Sequence, residues 1–408
     1  MSKKMTILFL AKEAGLSYIN WLRFYLEDIG HQIVYVTTVN ECIAEYEKSK
    51  PDILFSVNFQ FILAEIAKRD KLPYVFWGVD AVVNRLLFSK HFVSDYTFVF
   101  ECCQEDYDKF RKAGYKNVFL LPLAVDEKSL VMNKPATKNY QSNIAFVGGN
   151  YAPRNEYHNL LDALYKYYPN SREIIDNNLI NFFDEIFEKQ NQDICHYIVP
   201  KLLLEDDKYG LNIEDLAPLY ENEIINAIAD GQPKDKRFLS EMIADTLSHE
   251  SDRRFREAII RRLAPYGFSL WGDEGVWQNL TCTGNLTFHG YCQWGEQMSD
   301  VYKGAKIGLT MTRLFIDAVS MRIFEIAASK TLCLVKFTSE LPQYFDIGKE
   351  VVAFESIEEA EILADYYLRH DTERERIGQA GHERMLRDHT LRKRLDSMSL
   401  VLQEAGVF

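Results

Sequence analysis

The densest set of residues able to do chemistry is the stretch IDAVSMRIFEIAASKTLCLV, residues 316–335. Asp317 and Glu325 stand eight positions apart, with Ser320 and Arg322 between them. A helix beginning near Ser320 would turn its first amides and the positive end of its dipole toward an anion lying beyond it. Glu325 would then sit about a turn and a half inside, where a carboxylate can accept hydrogen bonds from the two vicinal hydroxyls of a ribose. The same spacing fits an ion pair between Arg322 and Glu325 on the helix surface, worth only about 0.3 kcal/mol. A second candidate is the pair Gly148 and Gly149, which closes the apolar run IAFVGGN. Two residues without side chains let the backbone approach a phosphate and aim amides at it. Arg154, just beyond, could add a charge-assisted contact. The competing reading is a tight turn followed by a surface arginine.

Asp80 follows the run YVFWGV and could serve as a general base or simply cap a helix. His91 and His289 are weaker candidates that fit ordinary loop or core positions equally well. Asp106 and Asp108 form a D-x-D, but the pattern around Tyr107 is helical, which argues against metal binding there. No G-x-G-x-x-G follows a strand, and neither G-x-x-x-x-G-K nor H-E-x-x-H occurs. Dinucleotide redox chemistry, P-loop hydrolysis and zinc proteolysis thereby lose their main sequence support.

Positioning these residues requires strand ends, and the sequence supplies them. Short β-rich runs begin at Thr6, Gln32, Asp52, Tyr74, Tyr96 and Val118, separated by 26, 20, 22, 22 and 22 residues. That spacing leaves room for one helix between strands, as in βαβ units on a parallel sheet. Trp21, Leu22, Tyr25, Leu26 and Ile29 share a helical face that Gly30 ends, and Gly114 ends the helix before the sixth run. A polar stretch after Val125 breaks the rhythm. IAFVGGN, FSLWG, NLTFHG, IGLTMT, TLCLVK and VVAF then restore it, with helical patterning filling residues 156–265. The expected organisation is an α/β domain over 1–130, a linker over 131–143, and a second α/β domain over 144–385 carrying a helical insert at 156–265. A C-terminal helix over 386–408 is expected to cross back to the first domain.

A chain of 408 residues suits two domains of roughly 150 to 200 residues each. With 60 Asp and Glu against 47 Lys and Arg, its net charge of -13 disfavours nucleic acid and anionic membranes as partners. The arginine-rich stretch from Arg374 to Arg394 is interleaved with Glu373, Glu375, Glu383 and Asp388 and reads as a solvated helix. The opening apolar run stops before Lys12, short of a span of ~20 residues. Seven cysteines, an odd number without a C-x-x-C, point to reduced thiols and a cytoplasmic protein.

From Ile144 onward the sequence resembles the group-1 glycosyltransferases, specifically their spore-maturation (CgeB-like) branch. The resemblance is carried by IAFVGGN with Arg154 after it, FSLWG, the helix with Tyr302, AKIGLTM, SMRIFEIAASKTLCLV and LPQYFDIGKEVVAF. It continues through IGQAGHERMLRDHTLRKRL, with Gly381, His389 and Thr390. The first domain matches more loosely, through PYVFWGVD with Asp80, Gly114, and LLPLAVD with Asp126. The resemblance implies a GT-B fold: two Rossmann-like, doubly wound α/β domains facing across a cleft. It implies a sugar nucleotide, expected to be a UDP-sugar, held chiefly by the second domain without a required metal or other cofactor. It assigns Glu325 to the nucleotide ribose and Asp317 to the donor sugar, where Asp is one methylene shorter than the usual Glu. Arg154 and Arg322 stand in for the diphosphate clamp, beside Gly148, Gly149, Ser320 and Tyr302. The expected reaction moves a sugar to a hydroxyl of a glycan, lipid intermediate or protein, with Asp80 as base for an inverting route. A non-catalytic binding module and a nucleotide-sugar epimerase are the alternatives. The expected membrane contact is at most peripheral.

Overall fold

The computed structural model describes residues 4–11, 17–80, 88, 91–126, 140–150, 156–167, 180–205, 236–277, 280 and 284–408. The chain forms two compact units. One comprises Met1–Leu130, Ala318–Phe324 and Arg384–Phe408, the other Val131–Asp317 and Glu325–Glu383.

The first unit is built on strands β1 (Thr6–Leu10), β2 (Gln32–Val36), β3 (Ile53–Val57), β4 (Tyr74–Gly78), β5 (Thr97–Glu101) and β6 (Asn117–Leu120). They form one parallel sheet in the order β2-β1-β3-β4-β5-β6. Every residue of β3, β4 and β5 is buried, because helices cover both faces and a continuous apolar run suits such a strand. Alternation divides these residues between two cores. Ile7, Phe9, Phe55, Trp77 and Phe100 face one way, and Leu8, Leu10, Leu54, Phe76 and Val99 the other.

The first of those cores is completed from the far end of the chain. Leu391, Leu395, Met398 and Leu402 line one face of helix Leu391–Glu404 at helical spacing and pack into it. Tyr25 Oη donates to Asp396 at 2.8 Å, and Val125 bridges to Thr390. The segment Ala318–Phe324 joins the same unit for a packing reason, since Met321 rests on this core and the Phe324 ring lies 5.0 Å from that of His389. Helix Met321–Ala328 is therefore shared between the units at the Phe324–Glu325 bond. The Trp21 side chain lies outside the described residues, whereas Leu22, Tyr25 and Leu26 of its helix are buried.

The second unit holds β7 (Ser142–Val147), β8 (Phe268–Trp271), β9 (Leu286–Phe288), β10 (Ala305–Thr310), β11 (Leu332–Lys336) and β12 (Val352–Phe354). They too form one parallel sheet, ordered β12-β11-β10-β7-β8-β9. The order reverses between β7 and β10, and a doubly wound sheet opens a crevice beyond the C-terminal strand ends at such a point. The described part of 156–265 is helical: Glu156–Tyr167, Asn181–Gln192, Val199–Glu205 and Lys236–Leu263. The 28-residue helix Lys236–Leu263 works in two halves. Ile243, Ala244 and Leu247 pack with Phe183 and Phe187 in a helical cluster, while Phe255, Ile259, Ile260 and Leu263 pack on the sheet. Among the described residues no helix is long and apolar enough to cross a membrane.

Candidate functional site

The switch point of the second sheet is where β7 runs into Gly148 and Gly149 and β10 runs into Met311 and Arg313. The Gly148 N–H donates to the Trp271 carbonyl at 3.0 Å, extending the ladder one residue past the strand. Its carbonyl accepts from Trp277 Nε1 at 2.9 Å. A Cβ on Gly148 would come within 2.9 Å of the Phe146 ring, so the turn needs glycine there; one on Gly149 would meet nothing within 4 Å. Both polar groups of the Gly148 backbone are thus taken by protein partners, and Gly149 is the position with open space beside it.

Beneath these strand ends lies a charged cluster from the end of helix Lys236–Leu263. Arg256, 5% exposed, donates from Nη1 to the Gly149 carbonyl at 2.9 Å and from Nη2 to the Met311 carbonyl at 3.1 Å. It thus ties together the two strands that flank the switch point. One turn earlier, fully buried Asp252 accepts from the Leu314 N–H at 2.7 Å. Burial pushes its carboxyl up to about 6, against the pull of Arg256, the Leu314 N–H, Arg313 and Lys336. Lys336, at the end of β11, is 1% exposed and donates to the Ile194 carbonyl at 3.1 Å. Burial lowers its affinity for a proton, opposed by Cys195, Asp252 and Asp317. Arg313 Nη1 lies 3.2 Å from His249 Nε2.

Glu325 lies inside helix Met321–Ala328 and is 1% exposed. Its Oε1 accepts from the Trp294 indole Nε1 at 2.7 Å, and its backbone carbonyl accepts from Ser329 Oγ. Ser320 immediately precedes the helix and accepts from the Ile323 N–H through its carbonyl; Arg322 is the second helical residue, and both are half-buried. Asp317 is exposed and is held by Ser339, whose N–H and hydroxyl both donate to it. Tyr302 is fully buried near the C-terminal end of helix Glu296–Lys303. Its carbonyl accepts from Thr331, the residue before β11, which sets it at the strand edge opposite the switch-point crevice.

In the first unit Asp80 is exposed just past β4. Asn58, in a left-handed conformation after β3, donates to Asp80 Oδ2 at 2.7 Å and accepts from the Val79 N–H at 2.9 Å. Whether Asp80 caps a helix concerns residues 81–87, and Arg154 falls in 151–155; both lie outside the described residues. His91 is exposed and pairs with Glu65. His289 stacks on Trp271 with ring centroids 4.4 Å apart, and burial lowers its pKa. Asp106 and Asp108 sit inside helix Gln104–Ala113, where Asp106 pairs with Lys109 and Asp108 accepts from Gln104. Among the described residues no group of three or more His, Cys, Asp or Glu side chains could hold a metal ion.

Arg256, Asp252, Lys336 and Trp294 were not singled out from the sequence. A signal for the first two existed. Asp252 and Arg256 are four apart on the same stretch as Phe255, Ile259, Ile260 and Leu263, so two charges fall among the residues a helix turns toward a core.

The two parallel six-stranded sheets with their flanking helices are the architecture of GT-B glycosyltransferases, and solved structures match it along nearly the whole chain. A glycosyltransferase from Rickettsia africae aligns with a TM-score of 0.57 at 9% identity, covering 98% of this chain and 99% of that one. Sucrose-phosphate synthase from Thermosynechococcus elongatus aligns at 0.55 with 10% identity, covering 99% of each. Anabaena HepE, solved with UDP-glucose, aligns at 0.51 with 8% identity, covering 98% of this chain and 100% of that one. At the level of sequence, residues 249–399 match the family model described as glycosyl transferase-like, a segment that contains Asp252, Arg256, Trp294, Asp317 and Glu325. No curated protein gives a significant match.

Proposed function

We propose that this protein transfers a sugar from a nucleotide-sugar donor, a UDP-sugar, to an acceptor hydroxyl. The observation that carries this reading is the placement of a buried carboxylate, Glu325, in the family-matched unit whose sheet reverses its order between β7 and β10. The binding of UDP and UDP-glucose by Anabaena HepE, which shares the fold, supports the choice of nucleotide. Glu325 takes the ribose hydroxyls. The diphosphate is assigned to Gly148, Gly149, Ser320, Arg322 and Arg154, the residues that the resemblance offers for it. Asp317 meets the donor sugar.

In the reaction the acceptor oxygen bonds to the anomeric carbon as the bond from that carbon to the diphosphate breaks. The hydroxyl proton passes to a base, which is Asp80 if the route is inverting, or to the departing diphosphate if it is retaining. Arginines and helix amides stabilise the leaving charge as the sugar gains oxocarbenium character, so no metal is required by this scheme. The acceptor is a glycan, a lipid intermediate or a protein. The finer placement in the spore-maturation branch rests on the motifs quoted above. Action in the cytoplasm is consistent with the described cysteines, all of which are free thiols.

The test is a thermal-shift screen of the pure protein against UDP-, GDP- and dTDP-sugars, followed by product masses. Stabilisation of roughly 2.7 kcal/mol is expected for the true donor at a hundred times its dissociation constant. Release of the nucleoside diphosphate with a glycosylated or hydrolysed sugar supports transfer, whereas an isomer of equal mass makes the protein an epimerase. No shift with any nucleotide overturns the proposal in favour of a non-catalytic module.

A further inference from the structure

We infer that Asp252 is a positioning residue for Asp317: from the helical insert it fixes the turn 313–316, which delivers Asp317 to the end of the sheet. This role rests on the assignment of Asp317 to the donor sugar. It adds what holds that carboxylate in place from the side of β10.

The grip comes from one face of helix Lys236–Leu263. His249, Asp252 and Arg256 follow one another at intervals of three and four, so the helix turns them the same way. Each holds a residue that follows β10. Arg256 donates to the Met311 carbonyl at 3.1 Å, His249 Nε2 lies 3.2 Å from Arg313 Nη1, and Asp252 accepts from the Leu314 N–H at 2.7 Å. The Phe315 ring is met by those of Tyr197 and His249, at centroid distances of 5.8 and 6.5 Å. Tyr197 is itself tied to the same helix, its hydroxyl donating to the Ala244 carbonyl at 2.8 Å. The Ile316 N–H donates to the Arg313 carbonyl at 3.2 Å and closes a turn around Leu314 and Phe315. Asp317 is the next residue, and Ser339 fixes its carboxylate from the side of β11. The bond from Leu314 is central because it holds backbone: both of its residues are buried, where an N–H left without an acceptor is costly. The helix that carries Asp252 is seated on the sheet by Phe255, Ile259, Ile260 and Leu263. A contact to substrate on a turn fastened to a seated helix is held accurately, and a misplacement of about 1 Å there costs up to about a hundredfold in rate.

Hydrogen exchange of the peptide covering residues 311–317 reads the anchor without any ligand. In Asp252→Ala its exchange is expected to rise roughly tenfold over the wild type, whereas Asp252→Asn, which keeps an oxygen for the Leu314 N–H, is expected to stay close to it. The consequence is read as UDP released from UDP-glucose, UDP-galactose and UDP-N-acetylglucosamine, per folded molecule. There kcat is expected to fall about tenfold in Asp252→Ala and to be largely kept in Asp252→Asn. Phe315→Ala loosens the same turn without touching a buried charge, and it is expected to raise the exchange and lower kcat a few-fold. In an Asp317→Asn background neither loss of rate is expected, although a damaged fold would lower the rate there as well. Unchanged exchange in both Asp252→Ala and Phe315→Ala, or losses that persist in full when residue 317 is Asn, overturns the inference. If the exchange rises but Asp317→Asn turns over as fast as the wild type, the anchor stands and the donor-sugar assignment of Asp317 falls, taking the positioning role with it. A wild type that releases no UDP from any of the three sinks the transferase reading itself.

Discussion

Asp317 accepts two hydrogen bonds from one residue: Ser339 donates its N–H to Oδ1 at 2.7 Å and its hydroxyl to Oδ2 at 2.5 Å. The loop after β10 is thereby pinned to the loop after β11, at the edge of the sheet where ligands bind in this architecture. An exposed carboxylate fixed at both oxygens keeps its remaining lone pairs in one direction. If that direction is the donor sugar, Asp317→Asn should cut turnover at least about tenfold, because an amide cannot accept at both positions. The stability cost should stay near 1 kcal/mol, the usual worth of an exposed hydrogen bond. Ser339→Ala should lower turnover a few-fold by loosening the carboxylate. Steady-state kinetics beside denaturant melts separate the effects, and full turnover in Asp317→Asn would remove Asp317 from the chemistry.

Arg256 joins the Gly149 and Met311 carbonyls, so its loss strands two acceptors and deprives Asp252 of a cation. Removing one partner from a buried charged network is far costlier than never building it. Arg256→Met should therefore destabilise the protein by about 3 kcal/mol. Arg256→Lys should recover only part, since a single ammonium cannot reproduce a planar fork reaching two carbonyls. Urea unfolding followed by tryptophan fluorescence reads both. A cost below 1 kcal/mol for the Met variant would mean that the strand ends hold together without this tie.

Asp252 makes a prediction in the opposite sense from a salt-bridged acid. Its carboxyl is raised by burial from 3.8 to about 6 in the folded protein. The stabilising contribution is therefore complete below 3.8 and is lost as pH rises through about 6. Integrated across that window the loss is about 3 kcal/mol. Asp252→Asn keeps an oxygen for the Leu314 N–H and cannot ionise, so its stability should vary less between those limits than that of the wild type. Unfolding midpoints measured across the window decide the matter, and parallel pH curves for the two proteins would contradict it.

The fold was readable in the sequence because its main signals are local. Each apolar run of the first unit starts within a residue of an observed strand, and Gly114 ends its helix in the left-handed conformation expected of a helix C-terminus. The glycine turn after β7 was legible for the same reason. The Ala318–Phe324 segment's attachment to the first unit was not, because it depends on Met321 meeting a core assembled from residues hundreds of positions away. Trp294 was equally hidden. Nothing in the string QWGEQ announces a carboxylate 31 positions downstream, and only the turn at Gly295 brings the indole to it. Asp252 and Arg256 fall between these cases, visible as charges on an apolar helix face but without a sign of which backbone they would serve.

Glu101 closes β5 in the first unit opposite Gly78 of β4, and its carboxyl fills the space that a side chain at Gly78 would need. A Cβ there would lie inside 3.0 Å of both carboxyl oxygens. Gly78→Ala should accordingly cost about 2 kcal/mol, the range of an overpacked core. Shortening the neighbour with Glu101→Ala should make the second substitution nearly harmless, so the pair should be strongly non-additive. Glu101 is fully buried, and burial followed by the nearby Asp106 raises its carboxyl well above the ordinary 4.5, with Lys109 opposing. A raised value means that the stability it contributes is complete below 4.5 and is lost as pH climbs through the folded-state value. Wild-type stability should consequently fall as pH rises from 4.5 into the alkaline range. Glu101→Gln, which stays neutral throughout, should lack that part of the fall and be the more stable protein at the alkaline end. Urea midpoints for the two proteins at both ends of the range provide the comparison. A Glu101→Gln variant that is less stable than the wild type at alkaline pH would show that the carboxyl is held ionised, and the account of burial as the dominant force at the end of β5 would have to be abandoned.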